Sequence, residues 1–573
     1  MDAGTGSVRR GFGLHSCTGV CGQALIALVL AAFVVTGLLG ALLPEVEFDA
    51  LWYHLPLPQA YLLAGRLVDL PNTFSSHYPK TVEMLFALGL AWNGPITAKL
   101  VHFVFGLLAV GATYRLARRW LNRQYSLLAA LAFLAVPTVH WELTTAHVDL
   151  AVICFVTLSL SDLVTCWDEP DDVGIHRAGL MMGLALASKH SALLFLPGAM
   201  LLVVARSLRM AASLSSGEGY RSIAADAVAW LKAGLRVQRW MKPPLIFLGI
   251  VLVVPLPWYV LSWLATGNPV FPELSSVFGV RVDQWTEINE DGVRSFLLHF
   301  GVGRDVLTLL TLPWHVTVSG PQFAGSLGPV FLKALPLAGL VILTPGARGR
   351  GLRILAGWAL LGTALWATPF SSFQLRYLLP VLPAVAVLSA AGLAWLTAVL
   401  RSHGWRHLAG AVLPVATLVL AFNLPPFIPW HGPGWAASTA HELDLAGVVD
   451  AGAASNYIAR HVPAYPAISF VNDHVAPPVR ILTFVDGFDY YSRYPLLHAY
   501  APTAQPATFA SGAERESVVI ETLRREGITH VILPSDLSDL RSFGLAITSE
   551  AFIRRYLSPV YEDERVVVYE LRL

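Results

Sequence analysis

The chain has 573 residues, of which 55% are hydrophobic and only 13% charged, with a formal net charge of +1 and a mean hydropathy of +0.58. A soluble domain carries about 25% charged residues, so this composition excludes a soluble globular protein and indicates a polytopic membrane protein. The near-neutral charge and the lack of a basic tract interleaved with aromatics argue against nucleic acid as a partner, and four cysteines make no disulfide framework.

The first apolar segment, 24–43, is long enough to cross a bilayer as a helix. Arg9 and Arg10 precede it and no clear cleavage site follows, so residues 1–23 read as a cytoplasmic segment before an uncleaved span. The stretch Glu45-Val-Glu-Phe-Asp-Ala-Leu-Trp-Tyr-His54 then falls on the outer face. Ionisable groups at that depth cost about 2.5–3.5 kcal/mol each on insertion scales, which makes them candidates for function.

Further spans are predicted at 96–114, 125–139, 148–166, 178–188, 190–205, 244–265, 327–343, 354–368, 377–399 and 408–423. The count is then about eleven transmembrane helices in a module covering 24–423, with external loops at 44–95 and 266–326. The cations of the loops around Arg115–Arg123, Arg206–Lys242, Arg348–Arg353 and Arg401–Arg406 all land inside, as the positive-inside rule requires. Reading 178–205 as one span would send the Arg206–Lys242 loop outside. A helical hairpin meeting at Ser188-Lys-His-Ser191 keeps it inside and puts Lys189 at an external tip. Gly346-Ala-Arg-Gly-Arg-Gly351 lacks the strand–helix context of a phosphate loop and reads as a basic cytoplasmic turn.

Residues 424–573 differ. The Pro-rich run 423–434 breaks any helix, and charges then return. Helices are predicted at 446–461 and 514–526, strands at 480–485, 529–533 and 565–571, and a loop at 501–512. The odd number of crossings places this small α/β domain outside the cell membrane.

Four clusters meet on the outer face: Glu45/Glu47/Asp49/His54, Glu142/His147/Asp149, Lys189/His190, and Arg376. Asp49 and Tyr53, four apart, share a helix face if that stretch is helical. Carboxylates and fixed cations around one external cavity suit group transfer from an anionic lipid carrier. A sugar on a polyprenyl phosphate already has a good leaving group, an acceptor hydroxyl needs a base, and the phosphate needs cations.

Asp49-x-x-x-Tyr53-His54, the amphipathic stretch Leu55–Leu67, Tyr78-Pro-Lys-Thr-Val-Glu-Met84, Gly267-Asn-Pro-Val-Phe-Pro272 and Arg376-Tyr-Leu-Leu-Pro380 resemble segments of the GT-C superfamily of integral-membrane glycosyltransferases. The likeness is to the bacterial branch related to dolichyl-phosphate-mannose–protein mannosyltransferases, and it spans most of 20–430. It implies a polyprenyl-phosphate sugar donor, membrane lipids as surroundings, an acceptor glycan, lipid or protein, and inversion by direct displacement. It also implies Asp49 as base, Asp149 as the acidic residue of the second external loop, and Lys189 and Arg376 beside the carrier phosphate. Tyr53, His54 and His190 join them as substrate-binding candidates. The chain has Glu45-x-Glu47-x-Asp49 in place of a clean Asp-x-Asp, which leaves a divalent cation as an open cofactor.

Each residue has a structural alternative. Asp49 can cap a helix, Asp149 can satisfy a helix start, Lys189 can snorkel to a headgroup, and Arg376 can bind any lipid phosphate. Glu45 and Glu47 read as solvated charges, Trp52, Tyr53 and Trp141 as interfacial aromatics. His54, His140, His147 and His190 match no metal-ligand spacing and read as structural. A transporter or lipid flippase is the alternative function, and would show paired broken helices.

Overall fold

The computed structural model describes residues 14–70, 73–167, 172–215, 241–281, 287–328, 336, 339–341, 343, 346–369, 371–424, 444–499 and 512–573. Arg9, Arg10, four cations of the 206–242 loop (Arg221, Lys232, Arg236, Arg239), most of the 327–343 span and the stretches 425–434 and 501–511 lie outside these residues.

Helix α1 (Leu14–Leu42) leads through a loop into a π-helical turn (Ala50–His54) and α2 (Pro56–Ala64). There follow α3 (Thr81–Asn93), α4 (Pro95–Ala117), α5 (Arg123–Leu134), α6 (Pro137–Glu142), α7 (Asp149–Cys166) and α8 (Asp172–Leu186). The segment expected at 125–139 is cut in two because Pro137, which has no N–H to continue a helix, opens α6. Lys189 is extended, and a 3-10 turn (His190–Phe195) starts α9 (Leu196–Ser215), so the expected hairpin break is present. Helices α10 (Met241–Val253) and α11 (Leu256–Thr266) are bent by 56° where Pro255 and Pro257 interrupt them. Helix α12 (Gly346–Trp366), a 3-10 segment (Leu375–Val381), α13 (Leu382–Ser402) and α14 (Arg406–Ala421) complete the bundle.

Among the described residues five helices are long and apolar enough to cross a membrane, or six with the bent pair as one span. One expectation changes. Gly346–Gly351 is not a turn but the start of α12, continuous with the apolar helix behind it despite its three glycines.

The segment joining α6 to α7 reaches down between α1 and α4. Small residues permit this: a Cβ at Gly40 would lie 2.4 Å from Thr144 and one at Gly106 2.3 Å from Leu143. The C-terminal end of α1 is capped by a residue of α4. Lys99, fully buried, donates from Nζ to the carbonyls of Gly40 (3.2 Å), Leu43 (2.6 Å) and Pro44 (3.3 Å). Gly40, which also accepts from the Leu43 N–H, is in the last turn of the helix and Leu43 and Pro44 follow it, and a cation suits the negative end of the helix dipole. The 266–326 loop is tied to α6 by Thr138, whose Oγ1 donates to the Ser326 carbonyl (2.8 Å) and accepts from the Ser326 N–H (2.7 Å).

The C-terminal domain carries α15 (Ala451–His461) and α16 (Tyr465–His474), then a five-stranded sheet with α17 (Glu516–Arg525) and α18 (Glu550–Tyr556). The helix expected at 446–461 is broken at Asp450, whose carboxylate caps α15 by accepting from the Ala453 N–H at 2.7 Å. The strands are β1 (Ile481–Thr483), β2 (Leu496–His498), β3 (His530–Pro534), β4 (Leu557–Glu562) and β5 (Val566–Leu571), in the order β2-β1-β3-β5-β4. Strand β1 is parallel to β2 and β3, while β5 is antiparallel to β3 and β4. One face of the domain buries Ile458, Val471, Phe488 and Val568 together with Leu51 of the turn after α1. The domain therefore sits on the same side as the 44–95 loop.

Replacing Lys99 with Met removes the charged donor from the Leu43 and Pro44 carbonyls and leaves Gly40 only its bond from the Leu43 N–H at 3.3 Å. The expected loss is about 1–3 kcal/mol of stability, read as a lowered thermal unfolding midpoint with faster amide exchange at 43–54.

Candidate active site

The turn after α1 is wound as a π-helix, closed by the Leu55 N–H on the Ala50 carbonyl at 3.0 Å. Single π turns concentrate at functional sites. Ala50 and Leu55 anchor it in a cluster with Val82, Phe86, Ala98, Ala146, Val148 and Ala151. Asp49 stands at its head but makes no side-chain cap. Its Oδ2 instead lies 2.5 Å from Nη1 of Arg376, with the side chains 17% and 11% exposed. Burial disfavours the Asp49 carboxylate, but the guanidinium outweighs it, aided by His147 and His54, and holds the pKa below the usual carboxylate range. Asp49 is thus a fixed anion whose side chain is not fully buried.

A second pair forms beside it. Both oxygens of Asp149, at the start of α7, accept from Lys189 Nζ, at 2.9 and 2.7 Å. The Tyr377 ring links the pairs, 5.0 Å from Lys189 Nζ and 5.3 Å from the Arg376 guanidinium. Arg376 is further oriented by its Nε donating to Gln374 Oε1 at 2.9 Å. Four segments distant in sequence thus converge: the π turn, the head of α7, the α8–α9 break and the 3-10 segment before α13.

The other candidates line the margins. Tyr53 packs edge-on against Tyr78 (6.1 Å between centroids), and His190 lies between the rings of Tyr78 (5.2 Å) and Tyr259 (5.6 Å). His54 Nδ1 lies 2.8 Å from Glu83 Oε1, both deeply buried. Burial pushes the Glu83 carboxyl up to about 8 and, with His147 and Lys189, holds His54 well below its ordinary value. The contact is therefore a neutral hydrogen bond near pH 7 rather than an ion pair.

Glu142, His147 and Asp149 each offer a ligand atom, and these lie within 4.8 Å of one another. His147 Nδ1 lies 3.3 Å from Glu142 Oε2, and His147 Nε2 has no hydrogen-bond partner. This trio has the donor chemistry to hold a divalent cation, which would compete with Lys189 for Asp149.

Several residues do something other than expected. Glu45 is buried, and its carboxylate accepts from the Ala146 N–H (2.6 Å), Thr145 Oγ1 (3.2 Å), and the N–H groups of Val46 (2.9 Å) and Glu47 (3.0 Å). It ties the loop after α1 to the segment between α6 and α7, whereas a solvated charge was expected. Glu47 Oε1 accepts from Trp141 Nε1 at 3.1 Å. Trp52 and Tyr53 lie in a buried cluster with Leu57 and Tyr61 rather than at a lipid interface. Lys80 went unassigned in the sequence. It is buried, its Nζ 5.5 Å over the Trp258 ring, with no carboxylate in salt-bridge range among the described residues. Its signal was a lysine just before the apolar helix α3.

The family described as dolichyl-phosphate-mannose-protein mannosyltransferase matches residues 86–225. Among curated proteins, none matches the chain. Among solved structures, ArnT from Cupriavidus metallidurans bound to undecaprenyl phosphate is 15% identical, with a TM-score of 0.53 over 97% of this chain and 98% of that one. The chain has the GT-C fold. Mycobacterial arabinofuranosyltransferase AftD is also similar, at 15% identity and a TM-score of 0.49, over 94% of this chain and 41% of that one. The oligosaccharyltransferase of Archaeoglobus fulgidus follows at 13% identity and 0.47, over 93% and 73%. On this GT-C fold, the site described above is built from the turn after α1, the head of α7 and the entry to α13.

The His54–Glu83 bond predicts a pH dependence. A carboxyl raised to about 8 when folded takes up a proton on folding, so its contribution is full at low pH and is lost as pH rises through 8. Between pH 6.5 and 8 the wild-type thermal midpoint should fall relative to Glu83→Gln, which cannot titrate; parallel profiles would contradict the neutral pair.

Proposed function

We propose that this protein is a membrane glycosyltransferase that moves a sugar from a polyprenyl-phosphate donor to an acceptor hydroxyl on the outer face. The observation that carries the reading is the pair of neighbouring carboxylate–cation contacts, Asp49–Arg376 at 2.5 Å and Asp149–Lys189 at 2.7 Å, sharing Tyr377. The GT-C fold supports it, as does the undecaprenyl phosphate bound to ArnT.

In this reading the acceptor oxygen attacks the anomeric carbon and its proton passes to Asp49. The bond from that carbon to the phosphate oxygen breaks, and polyprenyl phosphate leaves with the electron pair. A single displacement inverts the anomeric centre. Arg376 holds Asp49 ionised, which limits its basicity but guarantees the form able to accept a proton. Asp149 orients Lys189, whose remaining donor faces the phosphate, and Arg376 has further N–H groups for the same purpose. Lys80, buried and without a carboxylate in salt-bridge range among the described residues, adds positive charge near His190. Tyr53, His54 and His190 shape the wall around the sugar. If a divalent cation binds, Glu142, His147 and Asp149 would hold it, and it would add positive charge beside the phosphate. The acceptor is a glycan, lipid or protein reached from the side of the C-terminal domain, which in this reading lies outside the cell membrane.

The bent α10–α11 pair is the feature that favours transport instead. Radiolabelled polyprenyl-phosphate sugar separates the two: a transferase releases polyprenyl phosphate, whereas a transporter moves label across vesicles without a new glycosidic bond. Asp49→Asn should lower release by about 10²–10⁴-fold with folding intact, and full turnover would refute the base. Lys189→Ala should weaken donor binding; an unchanged affinity would remove its phosphate role.

A further inference from the structure

A buried charge cluster in the C-terminal domain lies outside the site described above. His498 ends the edge strand β2, and both of its ring nitrogens meet carboxylates: Nδ1 is 2.8 Å from Asp486 Oδ1 and Nε2 is 2.5 Å from Asp489 Oδ1. All three side chains are largely buried, at 3%, 11% and 10% exposure. A neutral imidazole has one N–H and could donate to only one carboxylate, so the arrangement calls for an imidazolium donating to both. Burial opposes that charge, but Asp489 and Asp486 outweigh it and push the His498 pKa up to about 10.

The two carboxylates bracket a short loop, and that loop touches Asp49's surroundings on every side. Gly487 is packed so closely on Phe48, the residue before Asp49, that an added Cβ would sit 2.7 Å from its ring. Phe488 shares a buried cluster with Leu51, and Tyr490 packs with the cluster around Ala50 and Leu55. The Tyr491 hydroxyl donates to the Glu45 carbonyl at 2.6 Å. One imidazolium therefore holds Asp486, just before the segment 487–491, and Asp489, in its middle, and that segment contacts residues 45, 48, 50 and 51. Hydrogen bonds to charged groups are stronger than neutral ones, and two at one ring fix the loop in a single geometry.

We propose that His498 is a positioning residue: through Asp486 and Asp489 it sets the loop 487–491 that holds the Asp49 turn in register with Arg376. The role it serves rests on the transferase reading, but its structural arm does not. The C-terminal domain is then a working part of the site rather than an appended acceptor module.

The test uses the full chain in lipid nanodiscs, comparing wild type with His498→Gln and Asp489→Asn. Hydrogen exchange should rise at 45–54 and 485–494, with β3, β5 and the membrane helices unchanged. Turnover per folded molecule should fall about 10- to 100-fold, the scale at which small misplacements cost rate, while donor KM stays constant. Gly487→Ala gives an independent variant should His498→Gln fail to fold. Its φ of +79° and its contact with Phe48 make it disturb the same turn without touching the charges, and it should give the same split. Exchange that opens only within the C-terminal domain, or opens at 45–54 with turnover unchanged, overturns the proposal. Opening at 45–54 in a protein whose wild type transfers no sugar supports the clamp and refutes the transferase reading.

Discussion

Asp49 and Arg376 are far apart in sequence, and bringing them to 2.5 Å constrains most of what surrounds them. Arg376 lies in the 3-10 segment that leads into α13, and Asp49 opens the turn that follows the first helix. A buried ion pair survives only with good geometry, because the desolvation of both charges must be offset by their attraction and by further hydrogen bonds. The surroundings supply that geometry. Gln374 fixes the guanidinium, and the π turn places the carboxylate without spending it on a helix cap. The neighbouring Asp149–Lys189 pair repeats the solution, so the site holds two anions and two cations in alternation rather than a net charge.

The loop carrying Asp49 has little regular structure of its own, and its position is imposed from three directions. Lys99 closes the end of α1 below it, and Glu45 binds it to the backbone of the segment between α6 and α7. From above, Leu51 enters the core of the C-terminal domain. Each tie crosses between segments distant in sequence. This explains why a chain of low charge content buries so many polar groups: they hold loops between helices, where apolar packing alone gives no unique register.

Part of this was legible in the sequence. Asp49, Asp149, Lys189 and Arg376 stood out because charges at the ends of apolar segments are costly, and the cation bias of the loops brought Lys189 to the same face. What was not legible depended on partners far along the chain. Glu45 reads as solvated until Ala146 is beside it, and Glu83 reads as an ordinary acid until burial with His54 neutralises it. Trp52 reads as an interfacial aromatic until Phe48 and Phe74 enclose it. Strand β2, three residues at a sheet edge, and β4, interrupted by Pro559, are too short or too broken for a period-2 pattern.

The central claim is that the two ion pairs form one site for a lipid-linked phosphate and the carbon it activates. A structure of the full chain in nanodiscs with a non-transferable polyprenyl-phosphonate sugar tests it most directly. The account predicts the phosphonate within hydrogen-bond distance of Lys189 and Arg376, with the anomeric carbon facing Asp49. A phosphonate bound away from both cations, or a sugar turned away from Asp49, would contradict it.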